Sequence, residues 1–200
     1  AGILPPDHIY YNKKIKKYGD NPDKAKKLLK EAGFDSLSLK LKISNRTVRM
    51  AELLKEQLAR AGINLKVISS DSKSNDSRIN QNNYELAITG HGGWGGQPDY
   101  LIERFSSGKF KGGLSSSGAI GYHNSELNKL LAAQQKEFDN KKKKNILYEV
   151  QNILAEDVPE IPLYYTAGYT VYRPNKYDGW MFMYDHHCMT HSKLSYLERD

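Results

Sequence analysis

Residues 37–68 limit the possible folds more than any other stretch. Leu37, Leu39, Leu41 and Ile43 alternate strictly with Ser38, Lys40 and Lys42, the period of a strand buried on one face. A helical pattern follows, with Ala51, Leu54, Leu58 and Ala61 on one side. Ser44 or Asn45 caps its start, and Glu56 supports Arg60 at i, i+4 on the outer side. Gly62 closes the helix, and Ile63–Ile68 reads as a second strand. A strand–helix–strand unit of this size favours a parallel pair with a right-handed crossover, which places the chain in the α/β class.

The flanking segments extend that reading. Ile3–Tyr18 is irregular, with Pro5-Pro6 forcing an extended start and Tyr10-Tyr11 offering rings to pack. Asn21-Pro22-Asp23 opens a helix whose Ala25, Leu28, Leu29 and Ala32 form one apolar stripe, closed by Gly33. The polar run Ser69–Asn83 holds a short helix with Arg78 and Ile79, and Tyr84–Thr89 reads as a third strand. Gln97-Pro98-Asp99 starts a helix through Leu101, Ile102 and Phe105, and the Ser/Gly/Lys-rich stretch 106–121 reads as a mobile surface loop. Asn124 or Ser125 caps a helix through Leu127, Leu130 and Leu131. Asp139 caps a longer one, lined by Ile146, Leu147, Val150, Ile153 and Leu154 and stopped by Asp157–Pro162. Leu163–Ala167 and Tyr169–Arg173 read as strands, and the aromatic remainder has little periodicity.

Between the third strand and the helix at Asp99, glycines occupy positions 90, 92, 93, 95 and 96, broken only by His91 and Trp94. Glycine costs conformational entropy and contributes no packing, so such a cluster points to positive φ angles or a close approach of the backbone to another group. Trp94 has no neighbouring side chains to bury against and must pack on another element, another domain or a ligand. The end of a strand that opens into a loop and then a helix is where α/β proteins tend to bind ligands.

Other chemistries have less support. The net charge of +7 arises from 30 basic and 23 acidic residues, and much of the excess is lysine on helix faces and in the run Lys141–Lys144. Solvated lysine faces account for it, and no zinc-finger, basic-zipper or RNA-recognition pattern accompanies it; a basic α/β nucleic-acid-binding domain remains the reading from another class. No nucleophile elbow, phosphate loop or His-Glu-x-x-His motif occurs, so no catalytic residue is assigned and no enzyme activity is expected. Glu156, Asp157 and Glu160 read as helix-end charges around a proline. Asp185-His186-His187-Cys188 is the best metal-ligand cluster, with His186, His187 and Cys188 as donors suited to nickel, copper or zinc. The single cysteine excludes an intrachain disulfide. No apolar run approaches the ~20 residues of a membrane span. The N-terminus lacks both a Met and a signal segment and begins as if cut from a longer chain.

Several segments, taken in order, resemble the C-terminal half of the family 5 extracytoplasmic solute-binding proteins, the peptide/nickel-type receptors of ABC importers. They are residues 22–34, 54–63 and 84–88, Gly93-Trp94-Gly95 with Pro98-Asp99, and residues 147–165. The resemblance implies the second lobe of a two-lobed periplasmic-binding-protein-like fold (class II, cluster C), present as a truncated fragment. Residues 1–20 would enter the lobe, 21–165 form it, and 166–200 return toward a first lobe. It further implies an extracytoplasmic receptor for peptides that works with ABC permease subunits, without a cofactor or nucleic acid. Contact with the membrane would come only through a lipid anchor or the permease.

Peptide-binding members carry an acid soon after the Gly-Trp pair to meet the ligand's ammonium group. Here Gly95 and Gly96 follow Trp94, and Asp99 is the candidate substitute. That departure keeps nickel or a metal chelate open as cargo. The expected ligand contacts are Trp94, the backbones of Gly92, Gly93 and Gly95, and the side chains of His91, Asp99, Tyr100 and Tyr122.

Overall fold

Strand β1 (Leu37–Ser44) lies at the centre of a three-stranded sheet of order β2-β1-β3. The computed structural model describes residues 2–90, 98–107 and 122–165, with the backbone of 177–178 and 198–199. Strand β2 (Ile63–Ser70) runs parallel to β1 in register from Leu37↔Ile63 to Ser44↔Ser70, as the strand–helix–strand pattern requires. Odd-numbered residues of β1 and β2 share one face, where Leu41, Ile43 and Leu65 pack with Ala51 of helix α2 (Val48–Ala59). Leu54 and Leu58 of α2 complete that core as half-buried neighbours.

Helix α1 (Pro22–Glu31) begins as read: the Asn21 side chain accepts a hydrogen bond from Lys24 N at 2.9 Å, and Pro22 fills the first turn. Its stripe is only partly covered. Leu29 is half-buried, whereas Leu28 is exposed. Gly33 and Gly62 both adopt positive φ, 86° and 83°, as expected for residues that end helices. At Gly62 an added Cβ would also stand 3.6 Å from Leu29.

Three expectations need correction. Neither Ser44 nor Asn45 caps α2. Asn45–Thr47 instead forms a 3₁₀ turn, Thr47 occupies the cap position, and its hydroxyl donates to Ser44 O at 3.0 Å. Arg60 reaches Asp20 at 3.4 Å rather than Glu56. Strand β3 is confined to Leu86–Ala87, paired parallel with Leu41 and Lys42. Just before it the Glu85 carboxylate accepts from Lys40 N at 2.7 Å, so a side chain takes the amide that a longer ladder would use. Helix α3 (Ser72–Asn80) follows β2, with the Asp71 side chain accepting from Ser74 N and Ile79 buried.

A second core is built from α4 (Tyr100–Phe105), α5 (Ser125–Lys136) and α6 (Asn140–Asp157) together with the N-terminal segment. It joins Ile3, Leu4 and Tyr10 to Leu101, Phe105, Leu127, Leu131, Leu147 and Val150. Asn124 and Asp139 cap α5 and α6 through their side chains, as read. The irregular N-terminal segment is held by one buried amide. Gln151 Oε1 accepts from Asn12 N at 2.9 Å, while its Nε2 donates to Tyr10 O at 2.8 Å and Leu147 O at 2.9 Å.

Leu163–Tyr165 is not a strand. Pro159 and Pro162 precede it without amide donors, and Tyr165 is held by its hydroxyl, which donates to Gly2 O. The remainder of both expected C-terminal strands, residues 166–173, lies outside the described residues. So does the expected loop from 108 to 121.

The chain divides into two compact units. One comprises Ala1–Lys17, Gly92–Ser107 and Tyr122–Asp200, and the other Tyr18–His91 and Gly108–Gly121. The span 21–165, expected as one lobe, carries residues of both.

Candidate ligand-binding site

The short helix α4 brings two of the described candidates, Asp99 and Tyr100, into place. Pro98 is fully buried, and its carbonyl accepts from Leu101 N at 2.9 Å. Asp99 occupies the N-cap position, but its side chain makes no capping bond. Asp99 Oδ1 instead accepts from Nε2 of Gln134, a fully buried side chain of α5, at 3.0 Å. The Asp99 residue itself is exposed. It is thus a surface carboxylate steered from below by a buried amide.

Tyr100 points its hydroxyl at Arg104 one turn along, accepting from Nη1 at 2.9 Å. Arg104 is the largest fully buried side chain among the described residues, with 1% of its surface exposed. Its Nε and Nη2 both donate to the Glu160 carboxylate, the two-pronged geometry in which arginine binds carboxylates most strongly. The rings of Tyr100 and Phe105 lie 6.0 Å from the guanidinium carbon. Removing one partner of a buried pair strands the other charge, at a cost of about 3–5 kcal/mol. The pair therefore locks α4 to the chain beyond α6.

Tyr122 lies before α5. Its hydroxyl donates to Asp157 Oδ2 at 2.8 Å, and Asn124 Nδ2 donates to the same oxygen at 2.8 Å. Burial, then the hydrogen bond to Asp157 and its charge, holds the phenol proton well above the usual tyrosine range. Tyr122 consequently keeps its donor proton to a higher pH than a free tyrosine does. Ser107 and His123 meet at 2.7 Å between Oγ and Nδ1, and Asn128 Nδ2 donates to Ser107 Oγ at 2.6 Å.

Of the expected ligand contacts, Asp99, Tyr100 and Tyr122 are described, all in the same unit. His91, Gly92, Gly93, Trp94 and Gly95 lie outside the described residues, as do His186, His187 and Cys188. Among the described residues no group of three His, Cys, Asp or Glu side chains is placed to hold a metal. The acids near Pro159 have ordinary partners: Glu156 with Lys16 at 2.6 Å, Asp157 with Tyr122 and Asn124, and Glu160 with Arg104. Sequence reasoning missed Arg104 and Gln134. Both sit at helical spacing within an apolar stripe, Arg104 three residues after Leu101 and Gln134 three after Leu131, and that interruption was the available signal.

The model of the bacterial extracellular solute-binding proteins, family 5 (middle region), matches residues 1–113. Di/tripeptide-binding protein 4 of Pseudomonas aeruginosa is 27% identical over 189 residues, covering 90% of this chain and 35% of that protein. Heme-binding protein A of Haemophilus influenzae is 27% identical over 180 residues, covering 86% of this chain and 32% of its own. Among solved structures, a periplasmic oligopeptide-binding protein of Borrelia burgdorferi superposes with a TM-score of 0.72 at 25% identity, over 98% of this chain and 39% of that one. The chain spans about a third of the length of the curated relatives it matches. No helix among the described residues is long and apolar enough to cross a membrane.

Proposed function

The chain belongs to the bacterial extracellular solute-binding proteins of family 5, with the fold of the two-lobed periplasmic binding proteins, and from that premise we propose that it forms part of a receptor that captures short peptides. The observation that carries the reading is the family match over more than half of the chain, joined by a di/tripeptide-binding relative that aligns along 90% of it. The receptor works outside the cytoplasmic membrane and hands its cargo to the permease of an ABC importer. It is not an enzyme, and it needs no cofactor. Ligand favours a closed arrangement because only there do groups from both lobes touch it.

Within this chain Trp94 supplies an apolar wall, and the backbones of Gly92, Gly93 and Gly95 supply hydrogen-bonding groups that no side chain obscures. His91, Tyr100 and Tyr122 are polar contacts. Asp99 stands in for the acid missing after Trp94: it is exposed, and its bond to buried Gln134 gives it a fixed direction. A metal-chelate cargo is the second reading, resting on the heme-binding relative of equal identity, with His91, Trp94, Tyr100, Tyr122 and His123 as its candidate contacts and His186, His187 and Cys188 as a separate candidate metal site.

Tryptophan fluorescence and calorimetry on the full-length protein decide between them, with di- and tripeptides, heme and nickel–histidine titrated in turn. A peptide should give saturable one-to-one binding, weakened about tenfold or more in Trp94→Ala. Heme or nickel binding without any response to peptides would overturn the peptide reading.

A further inference from the structure

The N-terminal segment and the start of α6 enclose a groove of about 520 Å³ that the ligand-binding reading leaves unused. Lys13, Lys14 and Lys144 line it with Tyr148, Ile9 and Pro6, and no acidic residue contributes. The buried Gln151–Asn12 bond fixes the segment carrying Lys13 and Lys14 beside α6. Asn12 Nδ2 adds a bond to Asn152 Oδ1 at 3.1 Å. Lys144 Nζ sits 5.8 Å from the Tyr148 ring centre.

Lys141, Lys142 and Lys143 precede Lys144 in the first turns of α6, a helix with no acid in its first turn. Cations there oppose the positive end of the helix dipole. These six lysines (13, 14 and 141–144) form no ion pair among the described residues, and all but Lys143 are exposed. They nearly equal the chain's whole excess charge of +7. Ile9, 63% exposed, stands at the rim.

Two features decide what such a surface fits. Four consecutive lysines on a helix point about 100° apart, so a small anion in the groove would reach only the lysines that line it. An extended anionic surface laid on that side reaches those and also Lys141, which shares a face with Lys144 at i, i+3. An exposed isoleucine beside lysines suits a boundary that is charged outside and apolar beneath. We propose that this face docks the protein on the anionic phospholipid surface of a membrane, in direct contact and without a lipid anchor or the permease as intermediary. Lysine ammonium groups meet lipid phosphates, and Ile9 enters the headgroup layer.

Vesicle co-sedimentation tests this with the full-length protein, made in the cytoplasm so that it carries no acyl chain. The protein should bind phosphatidylglycerol-containing vesicles, ignore pure phosphatidylcholine, and dissociate as salt rises. Lys13→Gln/Lys14→Gln/Lys144→Gln should lower partitioning by roughly 100-fold, following the ~1 kcal/mol each lysine contributes near an anionic surface. Lys24→Gln/Lys26→Gln/Lys30→Gln on α1 removes equal charge elsewhere and should leave partitioning nearly unchanged. Circular dichroism melts confirm that both variants fold. Four results would overturn the proposal: no vesicle binding at low salt, equal loss in both triple variants, displacement by millimolar inorganic phosphate, or tighter binding of single-stranded RNA through the same lysines.

Discussion

Tyr122 shows how a side chain singled out as a ligand contact serves the scaffold first. Its hydroxyl and Asn124 share one oxygen of Asp157, which joins the entrance of α5 to the exit of α6. Burial and the neighbouring carboxylate raise its proton affinity, and Tyr165 is raised likewise by burial and the charge of Glu160. An unfolded tyrosine ionises near pH 10. The folded state therefore holds these protons to higher pH than the unfolded state does. Their contribution is complete below about pH 10 and is lost as pH rises through the folded-state values. Tyr122→Phe should cost about 1 kcal/mol at pH 7 and make the alkaline decline in stability shallower, as read from urea melts at pH 7–11. An unaltered decline would mean that the phenol ionises as freely in the folded protein as in the unfolded one. The residue was singled out only as an expected ligand contact, on the family resemblance, and not for this scaffold role. Its partner could not be read from the sequence, since Asp157 lies 35 positions away and nothing local links the two.

At the scale of elements, whatever depended on neighbours in sequence was legible. The caps at Asn21, Asn124 and Asp139 were read correctly because a short polar side chain before an amphipathic run satisfies amides three residues on. Strands β1 and β2 were read from alternation alone. Three of the misses turned on hydrogen bonding: Thr47 tightened the start of α2, Glu85 took an amide that β3 needed, and prolines left Leu163–Tyr165 outside any ladder. Buried amides were also invisible. Gln151 looks like one polar residue in a helix, yet its side chain makes two bonds that fasten the N-terminal segment to α6, with a third to Leu147 O within the helix. Gln151→Leu keeps the volume and leaves Asn12 N–H and Tyr10 C=O without their partner, at about 1–3 kcal/mol for each group left unpaired. Hydrogen exchange should then show residues 10–14 losing protection while the middle of α6 keeps its own. If residues 10–14 stay protected in the variant, the amide is not what holds that segment.

Among the described residues there are two hydrophobic cores, each internal to one compact unit. The single α/β lobe expected over residues 21–165 came from the family resemblance, which does not report how side chains are shared among cores. What separates the units is the allocation of side chains. Leu41, Ile43 and Leu65 pack against Ala51 of α2 in one cluster, while Leu101, Leu127 and Leu147 pack with residues from the N-terminus in the other. That second cluster joins residues more than a hundred positions apart, Leu4 and Leu147 among them, and no periodicity reports them. Cooperative opening follows shared buried contacts, so damage to one core should remain in its own unit. Leu65→Ala and Leu147→Ala each remove a buried side chain, and each should destabilise its core by about 2–5 kcal/mol. In the full-length protein, exchange protection should fall along β1, β2 and α2 for Leu65→Ala and along α4, α5 and α6 for Leu147→Ala, with little effect in the opposite direction. If either substitution lowered protection in both sets equally, the two cores would unfold as one, and the division seen in the packing would have no energetic counterpart.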